Sequence, residues 1–210
     1  MTLPETQANN VALAIRALAK RDPRLEILIE RYGPYTPRRS ANPDVFGALA
    51  RSIIYQQLAG KAASSIHSRF LALFETHLSP ENLLAVNRKQ LRSAGLSNAK
   101  CTAMIDLAIH AQQGVLDLNR LDQMTDEALI DHLCCVRGIG PWTAQMFMLF
   151  ELGRLDVWPT GDLAVRKGFG RAFSLPSTPK AKDLEPLGDR YRPYRSLVAW
   201  YCWRVLDTTS

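Results

Sequence analysis

Three short stretches of this 210-residue chain carry residue types that could do chemistry. The first is Leu133-Cys134-Cys135-Val136-Arg137-Gly138-Ile139-Gly140-Pro141-Trp142-Thr143-Ala144. One helix ends there, a Gly-x-Gly turn follows, and Pro141 opens the next helix. Glycine reaches backbone angles closed to other residues and has no Cβ to block a close approach. Successive N–H groups at the new helix N-terminus point outward and can bind a phosphate oxygen. Taken alone, Gly-x-Gly favours a plain helix–helix turn with glycine caps. The second stretch runs from Asp156 to Arg166, with Asp162 twenty-two residues beyond Gly140 and just ahead of an apolar run. An Asp there is an ordinary N-cap. Asp156 is the rival carboxylate, farther from the helix start, and reads as structural or loop-capping. The third is Arg51-Ser52-Ile53-Ile54-Tyr55-Gln56-Gln57-Leu58-Ala59-Gly60-Lys61-Ala62-Ala63. Its two adjacent glutamines, on an otherwise apolar helix, read by themselves as a solvated break.

Helices must position all three. Apolar residues recur at helical spacing over Val11–Lys20 and again at Leu25, Leu28 and Ile29 beyond Pro23. Residues 33–42, with Pro34, Pro37, Arg38 and Arg39, read as a loop. Asn42-Pro43-Asp44 marks a helix start, with Asn42 as cap, and a further helix is expected from about Lys61 to Glu75. Ser79-Pro80-Glu81, Ser97 and Thr125-Asp126-Glu127 open others, with stops near Gly114 and Val136. Pro141 to about Leu152, Asp162 to Phe169 and Tyr194 to Leu206 complete the set. No strand alternation persists, so the class is all-α.

Composition sets wider bounds. Hydrophobic residues make up 47% of the chain and charged ones 22%, enough for a packed interior. The net charge of +6 fits a polyanionic partner without demanding one. Cys101, Cys134, Cys135 and Cys202 have neither zinc nor iron–sulfur spacing; adjacent Cys134 and Cys135 read as small buried side chains in a reducing compartment. His67, His77, His110 and His132 show no ligand spacing. Met1–Asn10 lacks the layout of a secretory signal, and no apolar run is long enough to span a membrane. The protein is expected to be soluble and intracellular, cytoplasmic (nucleoid) in a bacterium or nuclear in a eukaryote.

The framing of the hairpin, an aliphatic helix, Gly-Ile-Gly-Pro and then Trp-Thr-Ala, resembles the helix-hairpin-helix motif of the DNA glycosylase superfamily. From about Asn42 to Asp207 the chain resembles the alkylpurine branch of that superfamily, 3-methyladenine DNA glycosylase II. It looks like a compact form without an extra N-terminal β-rich domain. Tyr191-Arg192-Pro193-Tyr194-Arg195-Ser196 resembles the same branch. The resemblance implies two helical lobes with DNA in a cleft between them. One lobe spans 43–151 with the hairpin at 133–145, and the other joins 1–42 to 152–210. It implies that Asp162 is the catalytic carboxylate, and that Gln57, with Leu58, fills the gap left by a flipped base. Tyr55, Trp142, Trp158 and Trp203 are the implied base-pocket residues, since electron-rich rings attract a cationic alkylated purine. Trp200 is expected in the core. Gly138, Ile139, Gly140, Thr143, Lys61 and Arg137 are the implied phosphate contacts, with Arg166 and Lys167 as further basic candidates. The carbonyls of Cys134, Val136 and Ile139 are the implied ligands of a monovalent cation, Na+ or K+; no other cofactor and no iron–sulfur cluster is expected.

Bifunctional members carry a lysine two residues after the second hairpin glycine. Here that position is Trp142, so a simple hydrolase without lyase activity is expected. The implied activity is excision of alkylated purines, of the 3-methyladenine and 7-methylguanine type, from double-stranded DNA by a monomer. A glycosylase/lyase for oxidised bases and a noncatalytic DNA-binding module remain alternatives on sequence alone.

Overall fold

The computed structural model of the chain describes residues 5–36 and 44–207. Among them all regular structure is helical, as the periodicity predicts. The chain divides into two compact units, one of 1–41 with 148–210 and the other of 42–147. The second boundary therefore falls inside a helix rather than after Glu151. Part of the expected 33–42 loop, with Pro37, Arg38 and Arg39, lies outside the described residues.

Local capping chemistry explains most of the helix starts. Helix α1 (Glu5–Arg21) hands over to α2 (Pro23–Tyr32) at Asp22, whose carboxylate accepts from the Arg24 amide at 3.0 Å. Proline occupies the first turn, where its missing N–H costs nothing. Helix α3 (Val45–Tyr55) is capped by Asp44, which accepts from the Gly47 amide at 2.9 Å. The cap is thus Asp44 rather than Asn42, which lies outside the described residues with Pro43. Helix α4 (Gly60–Leu71) ends four residues before the expected Glu75, where the chain turns and Phe74 packs edge-on against Phe70. Ser79 caps α5 (Pro80–Ala85), as read from sequence. Helix α6 (Arg88–Ser93) was not foreseen; a reciprocal capping box between Asn87 and Gln90 opens it. Ser97 caps α7 (Asn98–Gln112) and Thr125 caps α8 (Asp126–Cys134). Helix α9 (Pro141–Phe150) follows the hairpin, and the unit boundary falls within it. Then come α10 (Leu163–Ala172), the short α11 (Ala181–Leu184) and α12 (Arg195–Asp207).

In the 42–147 unit, α7 packs on α3, α5 and α6 around fully buried Leu49, Ile53, Leu83, Leu91, Met104 and Leu107. Each such side chain contributes about 1.5–3 kcal/mol through burial. In the other unit, α10 and α12 lie close together around Val165, Phe169, Leu197 and Val198. Gly168 makes that approach possible, since a Cβ there would collide with the backbone carbonyl of Cys202. The buried polar Asp22 is satisfied twice over: Tyr191 Oη donates to it at 2.8 Å, and Arg190 lies 3.4 Å away.

Candidate active site

The segment 154–161 leads into α10 and is fastened to the start of α12. Arg195 donates through Nε and Nη2 to the Asp156 carboxylate at 2.9 and 3.0 Å, and Arg192 adds a bond at 3.0 Å. Ser196 Oγ accepts from the Val157 amide at 2.9 Å, and the Ser196 amide donates to Leu155 O at 3.0 Å. Asp156 is therefore structural, as its sequence position indicates. Trp158 is a correction. It is 4% exposed in the core, donates its indole N–H to Leu184 O at 3.2 Å and packs edge-on against Phe169. A ring enclosed this way presents no face to a base, so Trp158 anchors the segment instead of lining a pocket.

Beyond Trp158 the chain turns, with the Asp162 amide donating to Pro159 O at 2.9 Å, and Asp162 becomes the N-cap of α10. Its Oδ1 accepts from the Val165 amide at 2.9 Å and from Trp203 Nε1 at 3.3 Å. The N-cap that the sequence also allowed is present. Both of these bonds fall on Oδ1. The cap fixes the rotamer, and a helix N-terminus is a favourable place for negative charge. Trp203 also lies against Phe150, ring centroids 5.5 Å apart. Phe150 is an exposed aromatic that the sequence reading passed over, because its place at a helix end looks like core. Behind the site, burial and then the Asp162 charge push the Cys202 thiol well above its usual pKa.

The other unit holds the hairpin and the glutamine turn together. Gly138 has φ +88°, a left-handed conformation, and a Cβ there would press on Ala103. Gly140 has no such constraint; open space surrounds its missing Cβ. The Arg137 amide donates to Asp106 Oδ2 at 2.7 Å, and the Ile139 amide donates to Val136 O at 3.0 Å. This corrects the assignment of Ile139 to a phosphate: its N–H is used inside the turn and its side chain is buried. Thr143 is also corrected. It is 7% exposed, and its Oγ1 accepts from Gln56 Nε2 at 3.0 Å, so the hydroxyl supports the hairpin from inside. What faces outward is Gly138, partly Gly140, and Pro141 and Trp142 at the start of α9. The Arg137 and Lys61 side chains are exposed. Among the described residues no donor reaches the Cys134 or Ile139 carbonyl, and the Val136 carbonyl takes one bond. Carbonyl oxygens left this way fit a hard cation.

Between α3 and α4, Gln57 has φ +57° and is exposed, and Leu58 is 38% exposed. Tyr55 is half-buried, edge-on to His67 with Arg51 over its ring at 4.9 Å. Burial, and then the Arg51 charge, lower the His67 pKa. Trp142 is 44% exposed on the first turn of α9. The structure thus groups Asp162, Trp203 and Phe150 in one unit. In the other it groups Gln56, Gly138 and Thr143.

Two helices joined through a left-handed glycine define a helix-hairpin-helix protein. The match to known proteins is more specific. The model of the HhH-GPD superfamily of base excision DNA repair proteins matches residues 50–193, and the chain belongs to that superfamily. It is 30% identical to DNA-3-methyladenine glycosylase 1 of Schizosaccharomyces pombe over 85% of this chain and 80% of that protein. The S. pombe 3-methyladenine DNA glycosylase Mag1, solved with abasic DNA, aligns with a TM-score of 0.81 at 29% identity, covering 91% of this chain and 95% of that one. A DNA-3-methyladenine glycosidase from Bacillus halodurans aligns with a TM-score of 0.84 at 34% identity, covering 93% and 89%.

Proposed function

We propose that this protein is a monofunctional DNA glycosylase that removes alkylated purines from duplex DNA, acting as a monomer in base excision repair. One observation carries the reading: Asp162 is a carboxylate fixed by a helix cap and an indole N–H, in a chain of the HhH-GPD superfamily. Alkylation at N3 or N7 makes a purine cationic. When the C1′–N bond breaks, the electron pair leaves with the base, which becomes neutral, so no acid need protonate it. Positive charge builds on the sugar, and the Asp162 carboxylate stabilises it. Water adds at C1′ and loses a proton to Asp162 or solvent, leaving an abasic site.

The hairpin unit supplies grip. Gly138, Gly140 and the exposed start of α9 bind backbone phosphates without reading sequence, aided by Lys61 and Arg137. The carbonyls of Cys134, Val136 and Ile139 would hold a Na+ or K+ ion, adding positive charge next to that phosphate. Gln57 and Leu58 fill the space of the flipped base. Tyr55, Trp142 and Trp203 offer ring faces, with Phe150 as an addition. Trp142, in place of a lysine, leaves no amine to form a Schiff base.

The test incubates the protein with duplexes bearing 3-methyladenine or 7-methylguanine. Free base is expected, with strand breaks only after alkali and no borohydride-trapped adduct. Asp162→Asn is expected to slow release by at least about a hundredfold while DNA binding persists. Unchanged release by that variant overturns the catalytic assignment, and a trapped adduct overturns the monofunctional one.

A further inference from the structure

Gln57 holds a conformation that ordinary side chains avoid. A non-glycine residue at φ +57° persists only where its surroundings hold it there. Two neighbours do so, and neither has a role in the chemistry above. Gln56 Nε2 donates to Gly138 O at 2.9 Å and to Thr143 Oγ1 at 3.0 Å. The first acceptor is on the left-handed glycine of the hairpin, and the second is in the first turn of α9. One amide group therefore joins the residue before Gln57 to both sides of the phosphate-facing turn. Lys100, on α7, donates through Nζ to Ile54 O at 2.6 Å and Gln56 O at 2.8 Å. It satisfies carbonyls that the end of α3 leaves without intrahelical partners. Partial burial lowers its pKa, the cost of holding that ammonium group against the helix end.

We infer that Gln56 is a positioning residue, braced by Lys100, that sets the Gln57 wedge in fixed register with the hairpin's phosphate grip. The inference rests on the glycosylase reading. The adjacent glutamines divide the work: Gln56 is tied inward, and Gln57 projects. A wedge must enter the stack at a fixed offset from the gripped phosphate. A side chain bonded to the hairpin itself fixes that offset before DNA arrives, so the ordering cost is not met during binding.

The test is a double-mutant cycle on the full chain with a 7-methylguanine duplex, read as the single-turnover excision rate at saturating enzyme. Gln56→Ala is expected to slow excision about tenfold, because a misplaced group loses orientation rather than affinity. Its affinity for undamaged duplex is expected to stay within about threefold, since phosphate contacts supply nonspecific binding. In the Gln57→Ala background the same change is expected to cost less than about twofold, because no wedge remains to position. A 2-aminopurine beside the lesion reports unstacking, and its fluorescence rise on binding is expected to fall in Gln56→Ala. Thr143→Val removes one anchor with little change in shape. It is expected to move the same two readouts in the same direction, which keeps the test open should Gln56→Ala fold poorly. Equal losses from Gln56→Ala with and without Gln57 overturn the inference, as does Thr143→Val behaving like wild type in both readouts. Wild-type protein that releases no base overturns the glycosylase reading instead.

Discussion

Substitutions at Asp162 separate its capping role from its proposed catalytic one. As the α10 N-cap it accepts from the Val165 amide at 2.9 Å, and it also accepts from the Trp203 indole at 3.3 Å. Alanine removes both bonds. The lost cap costs about 1 kcal/mol, within a range of roughly 0.5–2. The partly buried Trp203 N–H left without this acceptor adds about 1 kcal/mol. Asp162→Ala is therefore expected to lose about 2 kcal/mol, roughly 4–8 °C in Tm for a chain of this length. Asparagine caps about as well as aspartate and keeps an oxygen for both donors. It gives up only the interaction of charge with the helix end, about 0.5 kcal/mol. Differential scanning calorimetry and denaturant titration measure the stabilities, and base release from alkylated duplex measures the chemistry. The two variants should be comparably inactive but separated by about 1.5 kcal/mol in stability, the gap between those costs. Equal stabilities refute the capping argument. Excision that tracks stability, with Asp162→Asn near wild type, refutes the catalytic one.

The helix crossing and the buried tyrosines give two more. Gly168→Ala forces a methyl group against the Cys202 carbonyl and must separate α10 from α12. A loss of about 3 kcal/mol is expected in chemical denaturation, and a variant as stable as wild type contradicts the close approach. Burial raises the pKa of Tyr35 and of Tyr201 to about 12 each. From about pH 10, where tyrosine normally ionises, the unfolded chain loses these protons while the fold keeps them. Stability should therefore fall with rising pH between about 10 and 12, at about 1.4 kcal/mol per unit per tyrosine, while neither contributes pH dependence below that window. A stability that falls no more steeply over that window in wild type than in a Tyr35→Phe/Tyr201→Phe variant would contradict this.

What the sequence disclosed was local chemistry. Glycine, proline and capping side chains act within a few residues, so the hairpin limits, the Ser79, Ser97 and Thr125 caps and the start of α9 were all readable. Asp162 was readable as a cap for the same reason. What stayed hidden was direction. Trp158 sits four residues before Asp162, and only tertiary packing turns its ring into the core rather than toward solvent. Gln56 and Gln57 are chemically identical, and a single left-handed residue decides which is anchored and which projects. Helix α6 is too short to show a period, although Asn87 and Gln90 at capping-box spacing were a signal that could have found it. Lys100 gave no sign at all, since its carbonyl partners lie more than forty residues earlier in the chain.

The proposed grip on phosphate gains its rigidity from bonds within the hairpin. Three consecutive residues of the turn each have one backbone group committed inside the protein. The Arg137 amide is held by Asp106, the Gly138 carbonyl takes the Gln56 amide, and the Ile139 amide closes on Val136. Each bond removes a freedom that binding would otherwise have to remove. A turn left to its glycines alone would sample many conformations, because glycine loses more entropy on ordering than any other residue. The flexibility that lets Gly138 take its left-handed angle is thus cancelled by its neighbours. What remains is open space at Gly140 beside an ordered turn, which is what the proposed phosphate contact requires.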